Sequence, residues 1–337
     1  MIVQSVLVEG TLVQIAKAIL IFAFILQVVP LVLLMERKLL GRFQSRYGPN
    51  RVGPFGLMQP LADVLKLLSK ESFAPATSVP WMMAITPVIS IVCAVATLAI
   101  IPFGPQGAWG GDLGLYGIDV PIGVLYFFAF GSLAFYSTML GGWASGSKYS
   151  FLGSMRAAAQ LVSYEIAIGL SLLGVVMMSG SMSFVDIVEM QGSHGKGIWF
   201  VIPQFVGFCV FLVAGFAETG RAPFDLPEGD SEIVGGFNTE FGGMRFGSYF
   251  MAEYIEIIII SSVTVTCFFG GWHGPGPIAL GPLWMILKTF FFVVLFIWVR
   301  ASLPRLRYDQ LMSLGWKVLI PLGTLNVLVT AILLVTT

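Results

Sequence analysis

The residues best suited to chemistry in this sequence are carboxylates gathered in one short segment. Residues 218–240, ETGRAPFDLPEGDSEIVGGFNTE, hold a third of the eighteen acidic residues of the chain: Glu218, Asp225, Glu228, Asp230, Glu232 and Glu240. Glycine and proline interrupt this segment, which predicts an acidic loop over residues 218–245. Carboxylates beside an arginine, here Arg221, can change protonation and position as nearby charge changes.

Further ionisable residues fall inside long apolar segments. Glu165 and Lys288 lie in separate segments, and Glu253 and Glu256 are three residues apart, on one face of a helix. A charge near a bilayer centre costs at least ~2.5–3.5 kcal/mol. Proton transfer is the interpretation we favour for the carboxylates, and the alternatives are a helix–helix hydrogen bond or, for Glu253, contact with the membrane interface.

The neighbours of Glu165 predict its hydrogen-bond partners. Arg156 and Gln160 precede it by about two turns and one turn of helix, and Tyr164 is adjacent. We expect these side chains to pair with the carboxyl group.

The elements that must position these residues are membrane helices. Hydrophobic residues make up 57% and charged residues 11% of the sequence, and a helix needs about 20 mostly apolar residues to cross a bilayer. The segments that meet this length are residues 18–35, 79–103, 120–143, 157–178, 198–217, 246–269, 283–299 and 318–335. Continuous apolar runs argue against a β-barrel. The sequence therefore predicts an all-α polytopic protein, with residues 1–337 as a single membrane domain of about eight transmembrane helices.

The basic residues predict the orientation of these helices. Loops after the first, third, fifth and seventh segments carry fifteen of the eighteen Lys and Arg residues. Under the positive-inside rule, these loops face the cytoplasm or matrix, and both termini face outside. The basic cluster follows the first apolar segment, so that segment is not interpreted as a cleavable signal.

An interfacial helix is predicted near residues 55–70. Its apolar residues recur at helical spacing, and Asp63, Lys66 and Lys70 lie on the opposite face. For Lys66 and Lys70, an ordinary solvated face and a functional role are equally consistent with the sequence.

Nothing in the sequence predicts a metal, an iron–sulfur cluster or a nucleic acid partner. Cys93, Cys209 and Cys267 lie in three different apolar segments, and the net charge is zero. Structural zinc and iron–sulfur sites need clustered ligands. We interpret the cysteines as small buried hydrophobic residues and expect no cofactor bound by this chain alone.

Several long motifs resemble one known family. They are MERKLLGRFQSRYGPNRVGPFGLMQPLADVLKLLSKE at residues 35–71, GGWASGSKYSFLGSMR at 141–156, AAQLVSYE at 158–165, AETGRAPFDLPE at 217–228 and LPRLRYDQLM at 303–312. Over nearly its whole length, the chain resembles a membrane subunit of respiratory complex I. The family that it resembles is known as the H-type subunit of NADH–quinone oxidoreductase, or NADH dehydrogenase subunit 1.

This resemblance implies a function. Members of the family form most of the tunnel through which quinone enters, dock the hydrophilic quinone-site and iron–sulfur subunits on the inside face, and contact small and antiporter-like membrane subunits. Electrons come from a neighbouring subunit, so quinone is a substrate of the complex and no cofactor is implied here. The length and polar loops favour a bacterial inner membrane over a mitochondrial one.

The resemblance also implies roles for individual residues. The quinone tunnel would be lined by Glu36, Arg37, Arg46, Asp63, Arg221 and Asp225. The proton path would contain Glu165, Glu218, Glu228, Glu253 and Glu256. The chain departs from the family pattern at Gly220 and Gly229, which makes the loop more flexible, and Glu256 is a less usual addition.

Two other classes of protein remain alternatives at this stage. A membrane subunit of an energy-converting hydrogenase would keep the acidic path without the quinone tunnel, but the basic stretch 36–51 and the PFDLPE motif favour the quinone enzyme. A proton-coupled secondary transporter would show internal repeats, and the acidic loop has no counterpart early in the chain.

Overall fold

The computed structural model describes residues 11–105, 115–192 and 197–336. The helices in chain order are α1 (Thr11–Phe43), α2 (Gln59–Ser69), α3 (Pro80–Ala99), α4 (Gly123–Ala144), α5 (Lys148–Ser179), α6 (Phe184–Gln191), α7 (Phe205–Glu218), α8 (Asp230–Ile233), α9 (Gly243–Phe268), α10 (Gly281–Ser302), α11 (Tyr308–Leu314) and α12 (Ile320–Thr336). Short 3₁₀ turns lie at Pro54–Gly56, Gly236–Asn238 and Ile278–Leu280, and a π turn, Gly315–Leu319, joins α11 to α12. Over these ranges the β pairing is one isolated bridge, Gly104 with Leu115. The predicted all-α class is confirmed.

Six described segments are long and apolar enough to cross a membrane. They contain α3, α4, α5, α9, α10 and the joined α11–α12, and they overlap the predicted segments 79–103, 120–143, 157–178, 246–269, 283–299 and 318–335. The predicted segment 18–35 lies within α1, a helix of 33 residues.

The predicted segment 198–217 differs from the structure. Its helix, α7, is shorter than the spans above and begins at Phe205. Residues 200–204 form turns instead. The Gln191 side chain stabilises this irregular region by accepting hydrogen bonds from the backbone N–H of Phe200 (3.1 Å) and of Gly270 (3.0 Å). A buried side chain therefore replaces helical hydrogen bonds here.

Helix α9 is the most deeply buried of the six spans. It packs against α3, α10 and α1, while α5 packs against α4, α7 and α12. Tyr254 and Phe268 of α9 and Tyr164 and Phe211 of the neighbouring helices belong to one continuous apolar core. The carboxylates of α9 therefore lie near the centre of the helix bundle.

Apolar side chains also cover the outside of the bundle. Phe290 and Phe291 of α10 and Leu325 and Leu328 of α12 are more than half exposed in the isolated chain. Exposed apolar surface of this extent is typical of helices that face lipid or partner helices. The chain is thus a multi-pass membrane protein.

Helix α2 lies against the start of α9 with its apolar face uncovered. A Cβ added at Gly247 would lie 2.9 Å from Leu67 Cδ1, so the two helices pack closely. Leu61, Leu65 and Leu68 are each more than half exposed. The helix is amphipathic, and in the structure it covers Gln59–Ser69.

The acidic loop folds back onto α5. A Cβ added at Gly153 would lie within 2.6–2.7 Å of the backbone of Gly236 and Phe237, so a glycine is required at this contact. The Ser150 hydroxyl donates to the carbonyl oxygens of both residues (3.3 Å each). Gly229 adopts φ +41°, a left-handed conformation, immediately before α8. These contacts fix the position of the loop relative to the bundle.

The interpretation of the cysteines was correct for two of the three. Cys93 and Cys267 are buried, but Cys209 is exposed on α7. The face of α7 that carries Cys209 is therefore not covered by the described residues.

Candidate functional site

A buried ionic cluster lies where the acidic loop meets α1 and α9. Arg221 Nη1 donates to both carboxylate oxygens of Glu36 (3.2 and 3.3 Å), and its Nη2 donates to Glu253 Oε2 (3.1 Å). Arg300, at the end of α10, also pairs with Glu36. The guanidinium lies 4.2 Å from the Tyr254 ring centroid. We call these residues, Arg221, Glu36, Glu253, Tyr254 and Arg300, the Arg221 cluster.

The charges of this cluster stabilise one another at a site removed from water. The side chain of Arg221 is 8% exposed and that of Glu36 is 5% exposed. Burial alone would lower the pKa of Arg221, but Glu253, Tyr254 and Glu36 together raise it above its ordinary value. The guanidinium is therefore a permanent positive charge, and the carboxylates of the cluster must adapt to it.

Beside the cluster lies a cavity lined by four of the predicted carboxylates. It has a volume of about 100 Å³, and its lining includes Glu218, Glu228, Glu253 and Glu256. A water molecule needs about 10–15 Å³ measured in this way, so the cavity can hold several waters. We call it the acidic cavity. Because Glu253 also binds Arg221, one side chain connects the cavity to the Arg221 cluster.

The carboxylates of the cavity differ in their hydrogen bonds. Glu228 accepts from Asn238 Nδ2 (3.0 Å). Glu218 Oε2 is buried without a hydrogen-bond partner among the described residues, and this carboxyl group is close enough to Glu256 and Glu165 for their charges to interact. Burial, reinforced by these neighbouring charges, raises the pKa of Glu218 above its ordinary value, so this carboxyl group can hold a proton.

Glu165 binds a residue of α4 and not the partners predicted for it. Its Oε1 accepts from the Ser132 hydroxyl (2.7 Å). Gln160 instead donates to the carbonyl oxygens of Ala217 (2.6 Å) and Phe224 (2.9 Å).

The other predicted partners of Glu165 also bind elsewhere. Tyr164 donates to Leu311 O (2.9 Å), and Arg156 pairs with Glu232 (2.5 Å). The expectation was wrong because these residues precede Glu165 by one, five and nine positions, and such separations place their side chains on other faces of α5.

The remaining predicted tunnel residues are Arg37, Arg46, Asp63 and Asp225, and they do not form one group. Arg37 pairs with Asp63 (2.6 Å), and Arg46 is exposed and donates to Gln44 (2.8 Å). Asp225 lies in the acidic loop, close enough to Glu253 for their charges to interact. No grouping of three or more His, Cys, Asp or Glu side chains that could hold a metal occurs in the described ranges.

Several contacting residues were not recognised from the sequence. Ser132 and Asn238 bind carboxylates, and Tyr254 and Arg300 complete the Arg221 cluster. Arg300 gave a usable signal, since it ends an apolar helix on the predicted inside face. Ser132 and Tyr254 gave none, because single polar residues of these types are common in membrane helices, and Asn238 is one polar residue among many in the acidic loop.

Lys288 binds the chain just beyond the C-terminal end of α9. Its Nζ donates to the carbonyl oxygens of Phe269 (2.7 Å), Gly271 (3.0 Å) and His273 (2.6 Å) and lies 4.6 Å from the Trp199 ring centroid. A lysine that binds carbonyl groups beyond a helix C-terminus stabilises that end of the helix.

The fold and the site together define a class of protein: a multi-pass helical membrane protein that buries a carboxylate-lined cavity beside an ionic cluster. A family model described as NADH dehydrogenase matches residues 16–331. The chain therefore belongs to the NADH dehydrogenase family of membrane subunits, and is a subunit of an enzyme complex.

Similar proteins carry one name, that of the H-type subunit of NADH-quinone oxidoreductase. The first of these subunits in Geobacter metallireducens is 49% identical over 320 residues, which cover 94% of this chain and 95% of the relative. The second in Geobacter sulfurreducens is 50% identical over 317 residues, 94% of each chain. The corresponding subunit of Protochlamydia amoebophila is 49% identical over 298 residues, 88% of this chain and 90% of the relative.

Proposed function

We propose that this chain forms the quinone-access tunnel of a proton-pumping NADH:quinone oxidoreductase and couples quinone reduction to proton translocation. The observation that carries the proposal is the double role of Glu253, which binds Arg221 and also lines the acidic cavity. A charge change at the acidic loop thereby reaches a buried, water-accessible carboxylate in one step.

The chemistry explains why such a link is needed. Reduction of a quinone to a quinol consumes two electrons and two protons, and the electrons reach the quinone from other subunits. Proton uptake changes the charge near the acidic loop, and Asp225 and Glu228 both lie close enough to Glu253 to interact with it. Glu253, Glu218 and Glu256 then redistribute protons within the acidic cavity, and Glu165 receives them at its far side.

The proposed tunnel lies on the α1 and α2 side of the site. Arg37 and Asp63 join the end of α1 to α2, and Arg46 lies in the exposed loop between these helices. Glu36, on α1 itself, pairs with Arg221 (3.2 Å) in the cluster whose Glu253 lines the acidic cavity. An entering quinone would pass the first pair of residues before it approaches the second.

The proposed setting is a bacterial inner membrane with both termini outside. The basic loops then face the cytoplasm and dock hydrophilic subunits, while the exposed apolar helices contact lipid and other membrane subunits. The names of the similar proteins support a quinone enzyme over a hydrogenase subunit or a stand-alone transporter.

The proton path is tested by replacing a carboxylate with its neutral amide in the whole complex. We expect Glu253→Gln to abolish NADH-driven proton translocation in membrane vesicles at normal complex content. Asp186→Asn is the matched control, because that carboxylate binds Ser181 in a loop away from the cavity. Normal translocation by Glu253→Gln and Glu218→Gln complexes would refute the proton path.

The tunnel is tested separately through substrate kinetics. Asp63→Asn should raise KM for a long-tailed quinone with little change in kcat, because it perturbs access and not proton transfer. Lys66→Met on the same helix is the control. Unchanged KM for quinones of every tail length would contradict the tunnel assignment.

A further inference from the structure

A stripe of small polar side chains on α3 faces the acidic cavity. Thr86, Ser90, Cys93 and Thr97 are spaced by four, three and four residues, so they share one face of the helix. Ser90, Cys93 and Thr97 line the cavity together with Glu253 and Glu256 of α9.

Thr86 lies at the inner end of this stripe, where three helices bring hydroxyl groups together. Tyr249 of α9 lines the cavity, and its hydroxyl donates to Ser137 O of α4 (3.1 Å). A Cβ added at Gly141 would lie 2.4 Å from the Tyr249 hydroxyl and 3.4 Å from Thr86 Oγ1. The absence of a side chain at Gly141 thus leaves room around both hydroxyl groups. We call Thr86, Ser137 and Tyr249 the hydroxyl cluster.

Two members of the hydroxyl cluster are buried, with the Tyr249 hydroxyl close to both of them. Thr86 is 2% exposed and Ser137 is 0% exposed. Their hydroxyl oxygens make no hydrogen bond of acceptable geometry within the described chain. Thr264, in contrast, donates to Ile260 O of its own helix (2.6 Å), while Ser261, Ser262 and Thr289 are further buried hydroxyls of the spans without such a bond. A buried polar group without a protein partner ordinarily binds an ordered water.

The position of the cluster determines what such a water could do. Thr86 is near the start of α3, Ser137 is near the end of α4 and Tyr249 is near the start of α9. All three helix ends join loops that are predicted to face inside. Tyr249 and Glu253 are four residues apart on one face of α9, so the cluster lies between the acidic cavity and the inside surface.

We propose that the hydroxyl cluster holds ordered water and forms the inside inlet through which protons reach Glu253 and Glu256. Each hydroxyl passes its proton to the next acceptor and takes another from the inside, so no bond to carbon changes and no group of the cluster gains net charge. This inference rests on the proposed proton path and adds to it a source of protons that bypasses the acidic loop.

The test uses whole complexes in vesicles driven by NADH. Thr86→Val removes the hydroxyl at nearly constant volume, and Tyr249→Phe keeps the ring that packs on Phe237 and Phe241. We expect each to slow coupled NADH oxidation and proton translocation together by about fivefold to tenfold, the equivalent of one lost hydrogen bond. Thr86→Ser should restore the rate, and Thr264→Val should leave it unchanged.

The outcomes separate this proposal from the proton path itself. If Glu253→Gln stops translocation while Thr86→Val and Tyr249→Phe pump normally, the inlet is wrong and the carboxylate path stands. A Thr86→Ser complex as slow as Thr86→Val would show a packing role and overturn the inlet. Should a variant fail to assemble, an experimental map of the unmodified complex decides: density for water between Thr86 and Ser137 supports the inlet, and a dry site refutes it.

Discussion

Removing the positive charge of Arg221 should destabilise the protein far more than removing a surface arginine. In Arg221→Met, Glu253 loses a bond of 3.1 Å and Glu36 loses a bond of 3.2 Å, and the three side chains of these two pairs are 5–19% exposed. Breaking a buried ion pair by removing one partner costs about 3–5 kcal/mol, because the other charge stays buried without compensation. Arg300 still pairs with Glu36, so we expect the lower end of that range, about 3 kcal/mol.

The matched control is Arg307→Met. Arg307 binds Asp309 at 2.7 Å, but the two side chains are 76% and 61% exposed. Pairs this exposed contribute little to stability, because water screens both charges. Thermal unfolding of the detergent-solubilised complex, together with its content in membranes, measures the difference between the variants.

A second variant isolates the cause of the effect. If an unpaired charge is responsible, Arg221→Met combined with Glu253→Gln should be more stable than the sum of the two single effects by about 1–3 kcal/mol, because a neutral amide needs no counter-charge. Equal losses from Arg221→Met and Arg307→Met, or strict additivity in the double variant, would refute the reasoning about the Arg221 cluster.

Three further predictions concern regions outside this cluster. Gly153→Ala should displace the acidic loop and lower NADH:quinone reductase activity of the complex, whereas Gly169→Ala on the same helix, whose added Cβ would meet its nearest atom at 3.8 Å, should leave activity unchanged. Lys288→Met should lower the thermal unfolding midpoint while the number of protons translocated per electron stays constant, since the lysine binds only carbonyl oxygens and an indole ring. Burial raises the pKa of Asp119 above its ordinary value of 3.8; a hydrogen bond from Ser183 opposes this effect and the charge of Asp186 reinforces it. The folded protein therefore holds the Asp119 proton more tightly than the unfolded chain does, and stability falls as pH rises from the ordinary pKa through the raised one. Unfolding of Asp119→Asn, measured between acid and neutral pH, should lack this decline.

Hydropathy predicted the helices because lipid imposes a simple length and composition on any segment that crosses it. The boundaries failed where a side chain replaced helical hydrogen bonds, as Gln191 does before α7. The pattern of apolar residues within 198–217 does not predict this boundary, because the glutamine that determines it lies outside that segment.

Hydropathy predicted that Glu165, Glu253 and Glu256 lie within helices, but not what they bind. Glu36 and Arg300 are separated by 264 positions in the sequence, yet they pair. Gln160 lies one turn before Glu165 and still binds the backbone of α7 and of the acidic loop. Hydrogen-bond partners depend on which helix each face meets, and a single sequence does not specify that arrangement.

The charge balance of the Arg221 cluster explains how a redox change could reach the acidic cavity. When ionised, Glu36 and Glu253 balance Arg221 and Arg300, so the cluster is neutral. On our proposal, a proton gained by Glu253 leaves Arg221 in excess, and a guanidinium that is buried and permanently charged must find another anion. Asp225 and Glu228 of the acidic loop are the carboxylates close to Glu253. On this proposal, a carboxylate of the acidic loop competes with Glu253 for pairing with Arg221. The position of the loop then depends on whether Glu253 is protonated.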